Sequence, residues 1–418
     1  MAWRRRRIAV IGYGTAGQAL AVLLQRDGHQ VEVFEQAAEP GPVGAGFLLQ
    51  PTGLQVLWRM GLLPAVLAHG APVHRLFGDT PGGRTVMDMR YAGLDRRLFG
   101  LGLQRGALFL LLRRAWEAPT LHAATRIIAV DAEHGRVQSQ EGRWHGGYDL
   151  VVAADGAASC LRAQVAKPRL DRPYPWGALW CLLPRDDWPH VDELRQRYLA
   201  ARKMIGLLPV GTRPDDPMPR MSFFWSLPSA DFEGWRMRGM AAWKEEVAGL
   251  WPQVAACLGG LEHARQLSTA AYRDAVVAHW HRDRLVLAGD AAHAMSPQLG
   301  QGVNMALLDA WALSGALRDE ATLPAALDRY QQERRRHLWI YHFWSRWLTP
   351  LFQSGRALPA HLRDVGLHPL GRMPGGRGHM LRVLSGTQHG ALGKVSLDRQ
   401  FLAALDSVAS AAATPGAG

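Results

Sequence analysis

The chain has 418 residues, 48% of them hydrophobic and 20% charged, enough for about two domains of ~100–200 residues with proper cores. Its 45 glycines and 25 prolines fall short of a collagen-like or disordered composition, and three cysteines (Cys160, Cys181, Cys257) are too few and scattered for a disulfide framework or a CxxC site. The net charge of +12 is spread along the chain apart from Arg4–Arg7 and Arg334–Arg336, without zinc-finger spacing or an RNA-binding aromatic signature, so it argues against nucleic acid and for a field that draws in anionic small molecules.

The start, MAWRRRR then IAVIGYGTAGQALAVLL, imitates a secretory signal, with Ala19-Leu20-Ala21 as a mock cleavage site. That run, however, carries Gly12, Gly14 and Gly17 at a spacing a signal peptide does not need. No stretch of ~18 apolar residues occurs elsewhere, so no membrane span is expected and the chain reads as cytoplasmic. The opening reads instead as strand Arg7–Ile11, glycine turn, helix Thr15–Asp27 and strand Gln30–Phe34, with Gly28 stopping the helix. Two later apolar strands, Tyr148–Ala153 and Arg284–Leu287, also lead to an Asp beside a Gly.

Between them, Val73–Met89 reads as two strands around a Pro-Gly-Gly turn, and Arg126–Trp144 as a small antiparallel meander. Three strand-like runs follow: WGALWCLL, KMIGLLPV and RMSFFWSL. Strands inserted into an α/β unit predict a second domain that interrupts the first. Beyond Gly302 the chain reads as helices at about Val303–Asp319, Ala321–Thr349 (stopped by Pro350) and Ser396–Ser407, then a frayed tail, Ala409–Gly418.

Gly12-Tyr13-Gly14-Thr15-Ala16-Gly17 fits GxGxxG at a strand–helix junction. Gly12 allows the tight turn, Gly14 lets a pyrophosphate approach the backbone, and Gly17 lets helix and strand pack closely, with the helix N-terminus facing the phosphates. Glu35, 23 residues after Gly12, stands where a carboxylate accepts hydrogen bonds from an adenosine ribose. Asp155-Gly156-Ala157-Ala158-Ser159-Cys160-Leu161-Arg162 reads DGxxSxxR after one strand. Gly289-Asp290 ends another, and Pro297, Gly300, Gly302 and Asn304 follow in a loop that enters a helix. An Asp there can accept bonds from a sugar-alcohol chain, and the glycines and helix end can approach a flat ring.

In this order the three motifs resemble the single-component flavin-dependent aromatic hydroxylases, the group of p-hydroxybenzoate, salicylate and ubiquinone-biosynthetic hydroxylases. Pro42-Val43-Gly44-Ala45-Gly46 and Gln104-Arg105 add weaker matches, while Gln36 replaces a frequent arginine and Ala158 a polar residue. The resemblance implies an α/β, glutathione-reductase-like FAD-binding Rossmann domain (1–72, 98–168, 273–322). A mostly antiparallel substrate domain (73–97, 169–272) would interrupt it, and a C-terminal helical region (323–408) would follow.

It implies non-covalent FAD held by Gly12, Gly14, Thr15, Ala16 and Gly17, with Glu35 and Gln36 at the adenosine end. Arg105 would hold the pyrophosphate, and Gly289 and Asp290 the ribityl chain. Gly44, Ala45 and Gly46 would lie beside the ring, which Pro297, Gly300, Gln301, Gly302, Val303 and Asn304 would line. Asp155, Gly156 and Arg162 are candidate contacts for both FAD and NAD(P)H. The implied activity is a monooxygenase that uses NAD(P)H and O2 to hydroxylate an aromatic or quinone-like molecule through a flavin hydroperoxide. The alternatives are an FAD-dependent reductase or dehydrogenase that does not activate O2, and a flavin-bound sensor without turnover.

His279 and His281 form H-x-H, but no metal-site spacing accompanies them, so no metal is expected. His293 reads as a loop stabiliser and Cys181 as a buried apolar residue. Trp180, Phe223 and Trp225 lie on strands that could line a pocket, though strand aromatics are more often core. The aromatic helix Leu338–Phe352 is expected to bury a broad face, with an interfacial membrane helix as the other reading.

Overall fold

The computed structural model describes residues 5–42, 44–373 and 375–413. Arg4, Val43 and residues 414–418 of the tail expected to fray lie outside the described residues. Arg7–Ile11, Thr15–Arg26 and Gln30–Phe34 form the βαβ start read from the glycine spacing. The Arg7–Ile11 strand is central in a six-stranded sheet ordered His281–Arg282, Leu285–Leu287, Leu150–Ala153, Arg7–Ile11, Gln30–Phe34, Thr120–His122. All neighbours run parallel except the first pair. The three inner strands Arg7–Ile11, Leu150–Ala153 and Leu285–Leu287 are buried on both faces, which explains their apolar runs.

Register sets the chemistry. Ile11 pairs with both Phe34 and Ala153, and Ala153 with Leu287, so four strands end level at their carboxyl edge. The residues that follow, Gly12, Glu35, Ala154-Asp155 and Ala288-Gly289-Asp290, therefore emerge side by side. The ladder runs one step further through Gly12 N–H to Phe34 O, Ala154 N–H to Ile11 O and Ala288 N–H to Ala153 O, at 2.8, 2.8 and 2.9 Å.

A seven-stranded sheet lies beyond, ordered Ser268–Val276, Leu170–Pro184, Asp216–Pro228, Lys203–Arg213, Glu193–Leu199, Arg75–Asp79, Thr85–Arg90. It is antiparallel except between Glu193–Leu199 and Arg75–Asp79. The Pro-Gly-Gly hairpin and the small meander form as read. The sequence pattern announces neither the strands Glu193–Leu199 and Ser268–Val276 nor the helical stretch Phe232–Leu250. That stretch covers one face of the sheet, packing Trp235, Trp243 and Val247 on Leu179, Cys181, Ile205, Phe223 and Trp225.

The C-terminal helices are Gly302–Asp319, Leu323–Phe352, Ala357–Arg372, Gly376–Leu384 and Arg399–Ala413. Pro350 does not stop its helix: it sits in the last turn, and the helix runs on to Phe352. Part of the segment read as tail is helical to Ala413. The aromatic face divides, with Leu338, Ile340, Tyr341 and Ser345 buried while Trp339, Phe343 and Trp347 face outward. The expectation of one broad buried face is therefore corrected. No helix among the described residues is long and apolar enough to cross a membrane.

Candidate functional site

The glycine turn has the geometry its three positions require. Gly12 has φ +101°, and a Cβ there would stand 2.4 Å from Ala154 O, so the turn nests against the first residue beyond its neighbouring strand. A Cβ on Gly17 would lie 1.9 Å from Gly12 O, so helix and turn touch backbone to backbone. At Gly14, the residue before the first helical turn, a Cβ would meet nothing within 4 Å, and the position is exposed. Bare amides and a helix N-terminus face that space, as an anion requires. Thr15 and Ala16 form the first turn behind it.

Glu35 is held from both sides: Tyr13 N–H donates to Oε2 and Ala37 N–H to Oε1, each at 2.8 Å. A carboxylate oxygen takes more than one donor, so capacity for ribose hydroxyls remains. Gln36 is exposed in the bend that follows.

At Gly289 (φ +61°) a Cβ would come within 3.0 Å of Ala16 Cβ, which brings the second aspartate motif against the glycine-loop helix. Asp290 is exposed at the start of a short helix. Asp155 is largely enclosed: its Oδ1 is buried without a hydrogen-bond partner, and burial pushes its carboxyl up from the usual carboxylate range. Gly156 (φ +82°) again has open space where a Cβ would be. An orphaned acceptor beside uncovered backbone is what a hydroxyl-rich ligand would satisfy.

Arg105 opens the helix Arg105–Ala115, its amide donating to Ala45 O at 3.0 Å. Its side chain crosses Gly44 (φ +94°), where a Cβ would lie 3.0 Å from Cδ and Nε, and its guanidinium stands 5.6 Å from the Phe47 ring centroid. Solvent reaches it, yet protein surrounds it, and burial lowers its pKa against the opposing pull of Tyr272 and Asp290. Its charge lies within reach of both Tyr272 and Asp290. Trp180 Nε1–H donates to Tyr272 Oη at 3.2 Å, and Trp180 lies 5.0 Å from Phe224, centroid to centroid. These three rings lie on the seven-stranded sheet, Trp180 and Tyr272 half-buried and Phe224 buried. Phe223 and Trp225 point the other way, into the core under Trp243.

The loop Pro297–Gly302 exposes Gly300 (φ +61°) and Gly302, both with room for a Cβ, while Pro297 and Val303 are half-buried. Three of the expected contacts also hold packing partners. Asn304 is fully buried, accepting from Gln50 N–H at 2.8 Å and donating to Leu48 O at 3.3 Å. Gln301 donates to Leu384 O at 2.7 Å. Gly46 is pressed on the second sheet, where a Cβ would lie 2.6 Å from Val210. Gly44 and Ala45, not Gly46, are the part of that loop that meets Arg105.

Arg162 is likewise a positioning residue. It is 1% exposed and donates to Ala157 O, Asp290 O and Ala291 O at 2.9, 2.9 and 2.7 Å, and to Asp171 at 3.0 Å. One guanidinium thus ties the two aspartate motifs together.

Sequence reasoning missed Asp309. It is fully buried on the helix Gly302–Asp319, accepts from Gly289 N–H at 2.7 Å and Arg334 Nε–H at 2.7 Å, and lies 2.6 Å from His293 Nε2. Burial opposes its charge, but His293 and Arg334 outweigh it and hold the carboxyl down at about 2. The available signal was a lone acid amid ALLDAWAL. His293 is thereby a loop stabiliser. Cys181 is core, its thiol pushed up to about 12 by burial, and His281 pairs with Asp328 at 3.0 Å.

A cleft where bare glycine amides, a ribose-competent acid and an aspartate at a strand end meet is that of a dinucleotide-binding flavoprotein. The FAD binding domain family model matches residues 5–341, and the chain belongs to that family. It is 31% identical over 360 residues to 3-amino-4-hydroxybenzoate 2-monooxygenase of Streptomyces platensis, covering 79% of this chain and 84% of that protein. FAD-dependent urate hydroxylase of Klebsiella pneumoniae is 26% identical over 339 residues, covering 78% and 85%. Among solved structures, HpxO of Klebsiella pneumoniae with FAD and uric acid superposes with a TM-score of 0.76 at 23% identity, covering 93% of this chain and 98% of that one. The fold and the FAD cofactor follow.

Proposed function

We propose that the protein is an FAD-dependent monooxygenase that uses NAD(P)H and O2 to hydroxylate a small aromatic or quinone-like molecule. The observation that carries this is the convergence of Arg105 with Asp290 and Tyr272, and through Tyr272 with the ring of Trp180, while Gly300 and Gly302 leave open backbone in the loop that follows Asp290. Relatives whose names specify hydroxylation of urate or monooxygenation of an aminohydroxybenzoate support it.

When bound, FAD supplies two-electron transfer from NAD(P)H and activation of O2. The chain does the rest. Glu35 and the Thr15 helix end hold the adenosine ribose and phosphates, Arg105 adds positive charge, and Asp290 accepts from the ribityl hydroxyls. The N-terminus of the helix starting at Gly302 favours negative charge on the ring. Residues 73–97 and 169–272 supply the substrate side, where Trp180 and Phe224 stack an aromatic ring and exclude water. Three free cysteines, Cys160, Cys181 and Cys257, fit a reducing, cytoplasmic setting.

A hydroxylase gains by reducing its flavin only when substrate is present, because activated oxygen is otherwise lost to water as peroxide. Anaerobic rapid mixing of the holoenzyme with NAD(P)H should show an accepted aromatic accelerating reduction by at least about tenfold, or ~1.4 kcal/mol of barrier. Urate, aminohydroxybenzoates, kynurenine and quinolones are the compounds to try first. Equal rates with and without every compound would favour the reductase that does not activate O2.

A further inference from the structure

The outer side of the helix Leu323–Phe352 is unlike the rest of the surface. Trp339, Phe343 and Trp347, one turn apart, are 54, 40 and 66% exposed. Their rings form a continuous stripe, with Trp339 5.9 Å from Phe343 and Phe343 6.0 Å from Trp347. The next helix, Ala357–Arg372, packs on the first and exposes Leu358, Leu362, Val365 and Leu370. Protein packing does not explain this side, since Leu338, Ile340, Tyr341 and Ser345 already bury the inner one. Contiguous apolar surface of this kind marks an interaction site.

The charge around it selects the partner. Residues 334–393 contain nine arginines and one carboxylate, Asp364; Arg334 and Arg363 are buried in ion pairs, and Glu333 is exposed just before the run. Asp364 is engaged by Arg363 at 2.8 Å, and Arg335 and Arg336 are exposed on the helix that carries the aromatic stripe, whereas Arg346 stands beside Asp274 of the seven-stranded sheet. A two-fold contact between copies would set this patch against itself and juxtapose like charges. Tryptophan, phenylalanine and leucine within a rim of arginine match the headgroup region of an anionic bilayer, where indoles sit at the interface and guanidinium groups reach phosphates.

We propose that the outer faces of Leu323–Phe352 and Ala357–Arg372 dock the protein peripherally on an anionic lipid bilayer, without spanning it. The test uses the full chain loaded with FAD and co-sedimented with vesicles. One set is pure phosphatidylcholine, and the other is two parts phosphatidylcholine to one part phosphatidylglycerol. Binding to the mixed vesicles should be at least about tenfold tighter than to the neutral ones and should weaken with salt. Trp339→Ser with Trp347→Ser should lose at least about tenfold of it. Arg335→Glu with Arg336→Glu should remove the preference for anionic lipid. All these side chains are exposed, so flavin content and melting temperature should stay at the parent's values and separate lost docking from lost folding. Three outcomes would overturn the proposal: no binding of the parent to mixed vesicles at low salt, tryptophan variants that bind like the parent, or a parent dimer that the same substitutions dissociate.

Discussion

Asp309→Ala should be the most damaging single side-chain deletion in the flavin domain, at about 3–5 kcal/mol, because it leaves a buried arginine without its counter-charge. Arg334 is 3% exposed, and the same carboxylate receives Gly289 N–H and neighbours His293. Removing it also frees the turn that sets Asp290, so flavin should be lost together with stability. Thermal melting and flavin content of the purified variant check this; a melting temperature within about 1 °C of the parent's would refute it, since surface-like changes stay within ~0.5 kcal/mol. The sign of the pH effect follows. The folded-state carboxyl is held at about 2, below its unfolded value near ~4. Its contribution is therefore complete above pH ~4 and is lost as pH falls from there towards 2. Acid-induced flavin release should fall in that window and be absent as a separate step in Asp309→Asn.

Gly14→Ala and Gly17→Ala should fail in opposite ways. Gly14 has ordinary extended backbone (φ −76°) and open space around a new Cβ, so the apo protein should melt like the parent. The added methyl would occupy the place of the pyrophosphate, and FAD affinity should fall by at least about a hundredfold, or ~2.7 kcal/mol. Gly17→Ala puts its Cβ 1.9 Å from Gly12 O, against backbone that cannot swing aside. It should cost about 1–3 kcal/mol or more of apo stability before any flavin is added. Calorimetry of both apo proteins and flavin fluorescence titration separate the two. A Gly14→Ala protein that binds FAD as the parent does would remove the glycine turn from the site.

What was legible in the sequence was local. Each strand-end motif lies within a few residues, so Gly12–Gly17, Glu35, Asp155 and Asp290 could be read without knowing that their strands end level. The functions of Gly46, Arg162, Gln301 and Asn304 could not, because each depends on a partner far along the chain, such as Val210, Asp290, Leu384 or Leu48. The strand Glu193–Leu199 hid its inward pattern behind arginines. Arg195 stacks its guanidinium 4.3 Å from the Phe77 centroid and Arg197 4.8 Å from that of Trp251, while Asp79 and Glu193 take their charge. Long cationic stems can serve as apolar surface, which a hydropathy pattern does not register. In Phe232–Leu250, Gly239 at φ +80° breaks the helical period that would have announced it. The strand aromatics were divided by pairing alone: Trp180 stands opposite Phe224, and Leu179 opposite Trp225. Side-chain alternation then sends Trp180 and Phe224 to the side of Tyr272 and Trp225 to the core.

The proposed function requires that this cleft turn over an aromatic molecule with oxygen from O2. Turnover of the holoenzyme with NAD(P)H and an aromatic that accelerates flavin reduction, under an atmosphere of ¹⁸O₂, tests it most directly. The expected product carries one labelled oxygen on its ring and forms in step with NAD(P)H oxidation. NAD(P)H oxidation that yields only labelled hydrogen peroxide, or a product whose oxygen comes from water, would contradict it.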